Sequence, residues 1–90
     1  VEPGPGCTGD DELLDYIRRR GSTVYHPVGT CRMGEDPLAV VDSRLCVRGL
    51  AGLRVIDASI MPVITTGNTN APTLMIGARA AALVMEDNAI

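Results

Sequence analysis

One segment limits what this chain can fold into more than any other: Ala71 to Met85, fifteen residues that are apolar on nearly every side, with Arg79 in the middle. Pro72 suits the first turn of a helix, where its missing N–H would have no partner, so Asn70 or Ala71 is expected at the cap and the helix to run to about Glu86. A surface helix needs only one apolar stripe, whereas a helix apolar around its circumference must be enclosed on several sides. Gly77 and the alanines at 78, 80, 81 and 82 would let other backbones come close. The chain has 90 residues and 9.5 kDa, enough for one small core or for a piece of a larger one. With no Trp, no Phe and two Tyr, that core is built from aliphatic residues and Met, which bury less area each than aromatics. Such a core cannot easily surround the helix. A membrane span is excluded, because it needs about 20 apolar residues and tolerates charge at its centre poorly.

Charge and cysteine usage narrow the function classes. Eight Arg, no Lys and eleven acids give a net charge of -3, which with 46% apolar residues disfavours both a clamp on nucleic-acid phosphates and a disordered polymer. Cys7, Cys31 and Cys46 are odd in number and irregularly spaced, unlike a secreted disulfide scaffold or the paired spacing of a structural zinc site. The opening residues form neither a charged n-region nor an apolar h-region, so a cytoplasmic location is the default expectation. The chain contains no internal repeat and no low-complexity tract.

Residues 1–9, with Pro3, Pro5 and three Gly, predict an irregular leading segment. Asp10 to Arg20 carries acids in its first turn, arginines in its last and Gly21 beyond, which predicts a short helix capped by Thr8 with Asp11 as an imperfect capping box. Its stripe of Leu13, Leu14 and Ile17 is expected to pack by one face. Thr23-Val24-Tyr25 predicts a strand that ends in a loop at His26, where Pro27 and Gly29 stop it. Further short strands are expected at 39–42 and 45–47. A better one, inside a sheet, is expected at Leu53–Asp57 after the Gly49–Gly52 turn. The fold class implied is α/β, in the sense of an α+β fragment.

Three places carry residues capable of chemistry. His26 is the one histidine, held between Tyr25 and Pro27, and a ring fixed in this way suits general acid–base work. Asp57-Ala58-Ser59 follows the strongest strand signal, and ligands collect at strand carboxyl ends in open α/β sheets. Asn70 precedes a helix whose partly positive N-terminus suits a group that gains negative charge. Each place has a plain structural reading as well: a hydrogen-bonded histidine, a turn capped by its own Asp, and an N-cap Asn. The polar run Thr65 to Asn70, in an apolar half of the chain, must bind something.

The segments Tyr25-His26-Pro27-Val28-Gly29-Thr30-Cys31-Arg32-Met33-Gly34, Gly52 to Pro62 and Gly67-Asn68-Thr69-Asn70-Ala71-Pro72-Thr73 occur in a fixed order. Together they resemble the C-terminal end of the glucose/methanol/choline (GMC) oxidoreductases, an FAD-dependent family that oxidises alcohols. The wording is similar to the choline-dehydrogenase-like branch, in which Asn stands where glucose-oxidase-like members have a second His, and the match runs from about Asp10 to Glu86.

The resemblance implies that His26 is the catalytic base and that Asn70 hydrogen-bonds the substrate oxygen while hydride leaves the substrate carbon for flavin N5. It places Asp57 and Ala58 against the ribityl and pyrophosphate part of FAD, and Ala71, Pro72 and Thr73 beside the flavin pyrimidine ring. No metal is implied. Residues 10–51 would belong to the substrate side and residues 52–90 would close the FAD-binding domain. The Gly-rich fingerprint G-x-G-x-x-G is nowhere in the sequence. The expectation is therefore a C-terminal piece whose partners are a small alcohol and the N-terminal remainder of the enzyme. Alone it would be inactive, would hold no FAD and would self-associate. The competing expectation is a small stand-alone α/β interaction module.

Overall fold

The computed structural model describes residues 2–88; Val1 at the start of the leading segment and Ala89 and Ile90 at the far end lie outside the described residues. Three elements follow in order: helix α1 (Asp10–Arg20), a 3-10 helix (Ala58–Ile60) and helix α2 (Asn70–Asn88). The molecule is elongated, 63 × 28 × 17 Å, with a radius of gyration of 18.8 Å. A compact chain of this length would have about 12 Å.

α1 forms as its charge pattern requires, but its cap differs from expectation. Gly9, not Thr8, stands at the N-cap in an extended conformation, and the Glu12 carboxylate reaches back to accept the N–H groups of Thr8 and Gly9, each at 3.1 Å. Glu12, one methylene longer than Asp11 and three positions beyond the cap, is the residue that can span this gap. The apolar stripe of α1 is not packed: no residue of the helix is buried, and Ile17 is 60% exposed.

The expected strands shrink to isolated bridges pairing Met33 with Val41, Val41 with Val47 and Cys46 with Arg54. Thr23–Tyr25 forms no strand. Tyr25 has φ 63°, and Val24 and Tyr25 project into solvent, so the triplet has neither a ladder partner nor a surface to pack on. Leu53–Asp57 does not sit inside a sheet, since Arg54 alone bridges and Leu53 and Ile56 are exposed. Left-handed turns at Leu45, Gly49 and Gly52 reverse the chain before any run can lengthen. What remains is a stitched loop, in which Val47 N–H donates to Leu53 O (2.9 Å), Arg48 N–H to Val40 O (3.0 Å) and Val55 N–H to Leu45 O (3.2 Å).

The core joins this loop to α2. Val41, Leu45, Ile60 and Met61 pack with Ile76, Ala80 and Leu83, which recur at i, i+4 and i+7 and so form one stripe of the helix. The rest of α2 is uncovered: Leu74 is 67% and Met75 58% exposed. At its C-terminal end, Arg44 pairs with Glu86 (3.2 Å) and with Asp87, Arg54 pairs with Asp87, and Arg79 pairs with Glu86 (3.4 Å). No described helix is long and apolar enough to cross a membrane.

Val41 is fully enclosed and belongs to this core. Val41→Ala removes two buried methyls and leaves a cavity, and should cost about 1.5–2.5 kcal/mol, read as a lower urea midpoint at unchanged slope. Leu38→Ala, at an exposed position, should stay within about 0.5 kcal/mol.

Candidate functional site

His26 follows the left-handed Tyr25 and is half-buried. Its Nδ1 lies 3.1 Å from the Thr69 Oγ1, a contact between residues 43 positions apart. Thr69 is the one buried polar residue among the described residues. Its carbonyl accepts the Thr73 N–H (3.1 Å) and the Thr73 hydroxyl (2.6 Å), which makes Thr69 the cap and Asn70 the first helical residue, so the helix starts earlier than the expected cap at Asn70 or Ala71. The histidine is therefore attached to the residue directly before Asn70.

A second connection holds the same geometry. After the His26 loop, Cys31 N–H donates to Ser59 O (3.0 Å) and Met33 N–H to Ile60 O (2.8 Å), so the segment is tied to the 3-10 helix. Ile60 in turn packs in the core against α2. Gly29 is favoured in this loop because its φ is 88°, a left-handed conformation that side chains rarely adopt.

Asp57 caps the 3-10 helix, with Oδ1 accepting the Ser59 N–H at 2.7 Å. Ser59, through its hydroxyl and then its N–H, holds the Asp57 carboxyl below its ordinary range. Asp57 is exposed and Ala58 half-buried. In the first turn of α2, Asn70 and Ala71 are exposed while Pro72 and Thr73 are half-buried. The structure thus brings His26 to the N-terminal turn of α2, and places Asp57 and Ala58 on the 3-10 helix that packs against the same helix.

Thr69 is the residue that sequence reasoning passed over. The signal was available: it is the last residue before the helix in a polar run that needed partners, with Pro72 three positions on. Within that run Thr65 Oγ1 donates to Gly67 O at 3.0 Å. Cys7, Cys31 and Cys46 are free thiols, and no cluster of three or more His, Cys, Asp or Glu that could hold a metal occurs among the described residues.

With this geometry in view, the comparisons with known proteins become informative. Residues 2–77 match the sequence profile of the GMC oxidoreductases. An alcohol dehydrogenase (acceptor) of Pseudomonas putida is 59% identical over 85 residues, which cover 94% of this chain and 15% of that protein. An oxygen-dependent choline dehydrogenase of Cronobacter sakazakii is 54% identical over 81 residues, covering 90% and 14%. Among solved structures, pyridoxine 4-oxidase from Mesorbium loti superposes with a TM-score of 0.68 at 45% identity, over 91% of this chain and 16% of that one. The chain belongs to the GMC oxidoreductase family. It spans about one-seventh to one-sixth of the length of these relatives.

The residues present fit the FAD that this family uses. The N–H groups of Asn70 and Ala71, in the first turn of α2, have no carbonyl partner within the helix, and Pro72 has none to satisfy. That turn is an exposed, partly positive donor surface of small residues, matched to an electron-rich ring edge. Asp57, exposed and kept ionised, is matched to the hydroxyls of a polyol.

A depressed carboxyl contributes stability that is present above its unfolded value of about 3.9 and is lost as pH falls through the lower folded value. Carbon-13 titration of the Asp57 carboxyl should therefore give a midpoint below about 3.9. Ser59→Ala should move that midpoint upward. A midpoint at or above the unfolded value would contradict the capping geometry.

Proposed function

We propose that this chain is the C-terminal part of an FAD-dependent oxidoreductase acting on CH–OH donors, in which residues 10–51 belong to the substrate side and residues 52–90 close the FAD-binding domain. FAD, when bound, supplies the hydride acceptor. His26 takes the hydroxyl proton of a primary alcohol on Nε2, the nitrogen left free by the contact of Nδ1 with Thr69. Asn70 donates its side-chain amide to the same oxygen as that oxygen gains negative charge. Asp57 holds hydroxyls of the cofactor chain with Ala58 beside it, and Ala71, Pro72 and Thr73 offer the ring edge a close, partly positive surface.

The observation that carries this reading is the 3.1 Å contact that attaches His26 to the residue before Asn70. A lone structural histidine would not need to meet the first turn of a helix whose N–H groups remain free. The relatives whose names include alcohol and choline dehydrogenase point to small alcohols as the substrate class. The uncovered faces of α2 and α1 and the elongated shape support a segment that completes its packing on the remainder of a longer protein, rather than a stand-alone interaction module. By itself the segment would bind neither FAD nor alcohol and would associate with its own copies through those faces.

In the complete enzyme, His26→Ala should lower turnover about 10²–10⁴-fold at unchanged flavin content. Asn70→Ala should lose about 10²–10³-fold. Steady-state assays with choline and n-butanol, alongside a flavin absorbance scan, check both. Near-normal turnover in His26→Ala ends the assignment of the base, and loss of flavin in both variants would make the two residues structural.

A further inference from the structure

We propose that Thr69 is the positioning residue for His26. It accepts the Nδ1–H of the imidazole, and so keeps the tautomer in which Nε2 carries a lone pair. The inference rests on the reading of His26 as the base.

The position of Thr69 explains why its oxygen is available. A threonine at an N-cap ordinarily turns its side-chain oxygen onto the backbone N–H two or three residues into the helix. Here the third helical residue is Pro72, which has no N–H and so removes one of those two donors, and the Thr69 hydroxyl meets His26 instead of the other, Ala71 N–H. The carbonyl of Thr69 is already engaged by Thr73 through both the backbone and the hydroxyl. The Thr69 hydroxyl is left facing the imidazole, 3.1 Å from Nδ1, on a residue that is itself 9% exposed. Water cannot easily replace it there.

The chemistry sets the direction of the bond. A histidine that is to take a proton on Nε2 must carry its own proton on Nδ1, and free imidazole has no reason to hold it there. A hydroxyl oxygen accepts from Nδ1–H before the proton arrives and continues to accept from it once the ring is an imidazolium, so nothing rearranges during the step. Asn70 is the next residue in the chain and opens the helix. One short stretch of backbone therefore fixes both the orientation of the base and the donor to the substrate oxygen, and Pro72 removes one of the two N–H groups that would draw Thr69 into capping.

The test uses the complete flavoenzyme with ¹⁵N-labelled histidine, the His26 resonances being assigned by their loss in His26→Gln. Long-range ¹H–¹⁵N spectra should show His26 protonated at Nδ1 and bare at Nε2. Thr69→Val should release it toward the Nε2–H form, while Thr69→Ser, which keeps the hydroxyl, should retain the wild-type pattern. With choline or n-butanol and an artificial acceptor, kcat should fall about 10- to 100-fold in Thr69→Val, with KM and flavin content little changed and the acidic limb of the pH profile displaced. Thr69→Ser should recover most of that loss. An Nε2–H imidazole in the wild-type enzyme overturns the proposal even if Thr69→Val does not fold. So does a Thr69→Val variant with the wild-type spectrum, or one whose kcat and pH profile are unchanged. The reading of His26 as the base fails separately, through a His26→Gln variant that retains turnover whatever the tautomer.

Discussion

Everything else in this structure depends on one stripe of α2. Among the described residues, Ile76, Ala80 and Leu83 are the buried positions of that helix, and they dock on Val41, Leu45, Ile60 and Met61. That contact sets where the helix packs, while the Thr69 cap and Pro72 set where it begins. With the helix fixed on the core, its first turn meets the His26 loop, which reaches the same core through the hydrogen bonds of Cys31 and Met33 to the 3-10 helix. The site is thus a consequence of packing, since isolated bridges and no regular sheet are found among the described residues.

The two ends of α2 are treated differently. Glu86 and Asp87 lie in the last turn, where the negative end of the helix dipole makes acids unfavourable. Arg44 and then Arg54 answer Asp87, holding its carboxyl below its ordinary range, and Arg44 and Arg79 reach Glu86. The C-terminal end is therefore neutralised and tied to the 44–54 loop. The N-terminal end carries no acid in its first turn, and its free N–H groups keep their positive potential. An end left uncompensated in this way is suited to a ligand, whereas the compensated end serves only to anchor the helix.

How much of this was legible in the sequence depended on whether the signal was local. α1 and α2 could be read directly, because charge pattern, Pro72 and apolar composition act within a few residues. The strands could not. Thr23–Tyr25 and Leu53–Asp57 have strand-forming residues, but a strand needs a neighbour, and the chain bends away at Tyr25, Leu45, Gly49 and Gly52 before one can form. His26 and Asn70 stood out because their residue types and the motifs around them are distinctive. Thr69 did not, because its place before the helix in a polar run marks it only as a residue needing a partner, while the partner itself lies 43 residues away. The incompletely covered α2 was legible too, as a helix apolar on all sides in a chain too short to enclose it.

The central claim is that His26 and Asn70 act on one substrate oxygen in front of the flavin. A crystal structure of the complete enzyme with FAD and an alcohol analogue tests it most directly. The account predicts His26 Nε2 and the Asn70 side-chain amide each within about 3 Å of the analogue's oxygen, on the face of the ring that presents N5. An analogue oxygen bound by neither residue, or a flavin ring seated away from the first turn of α2, would contradict it.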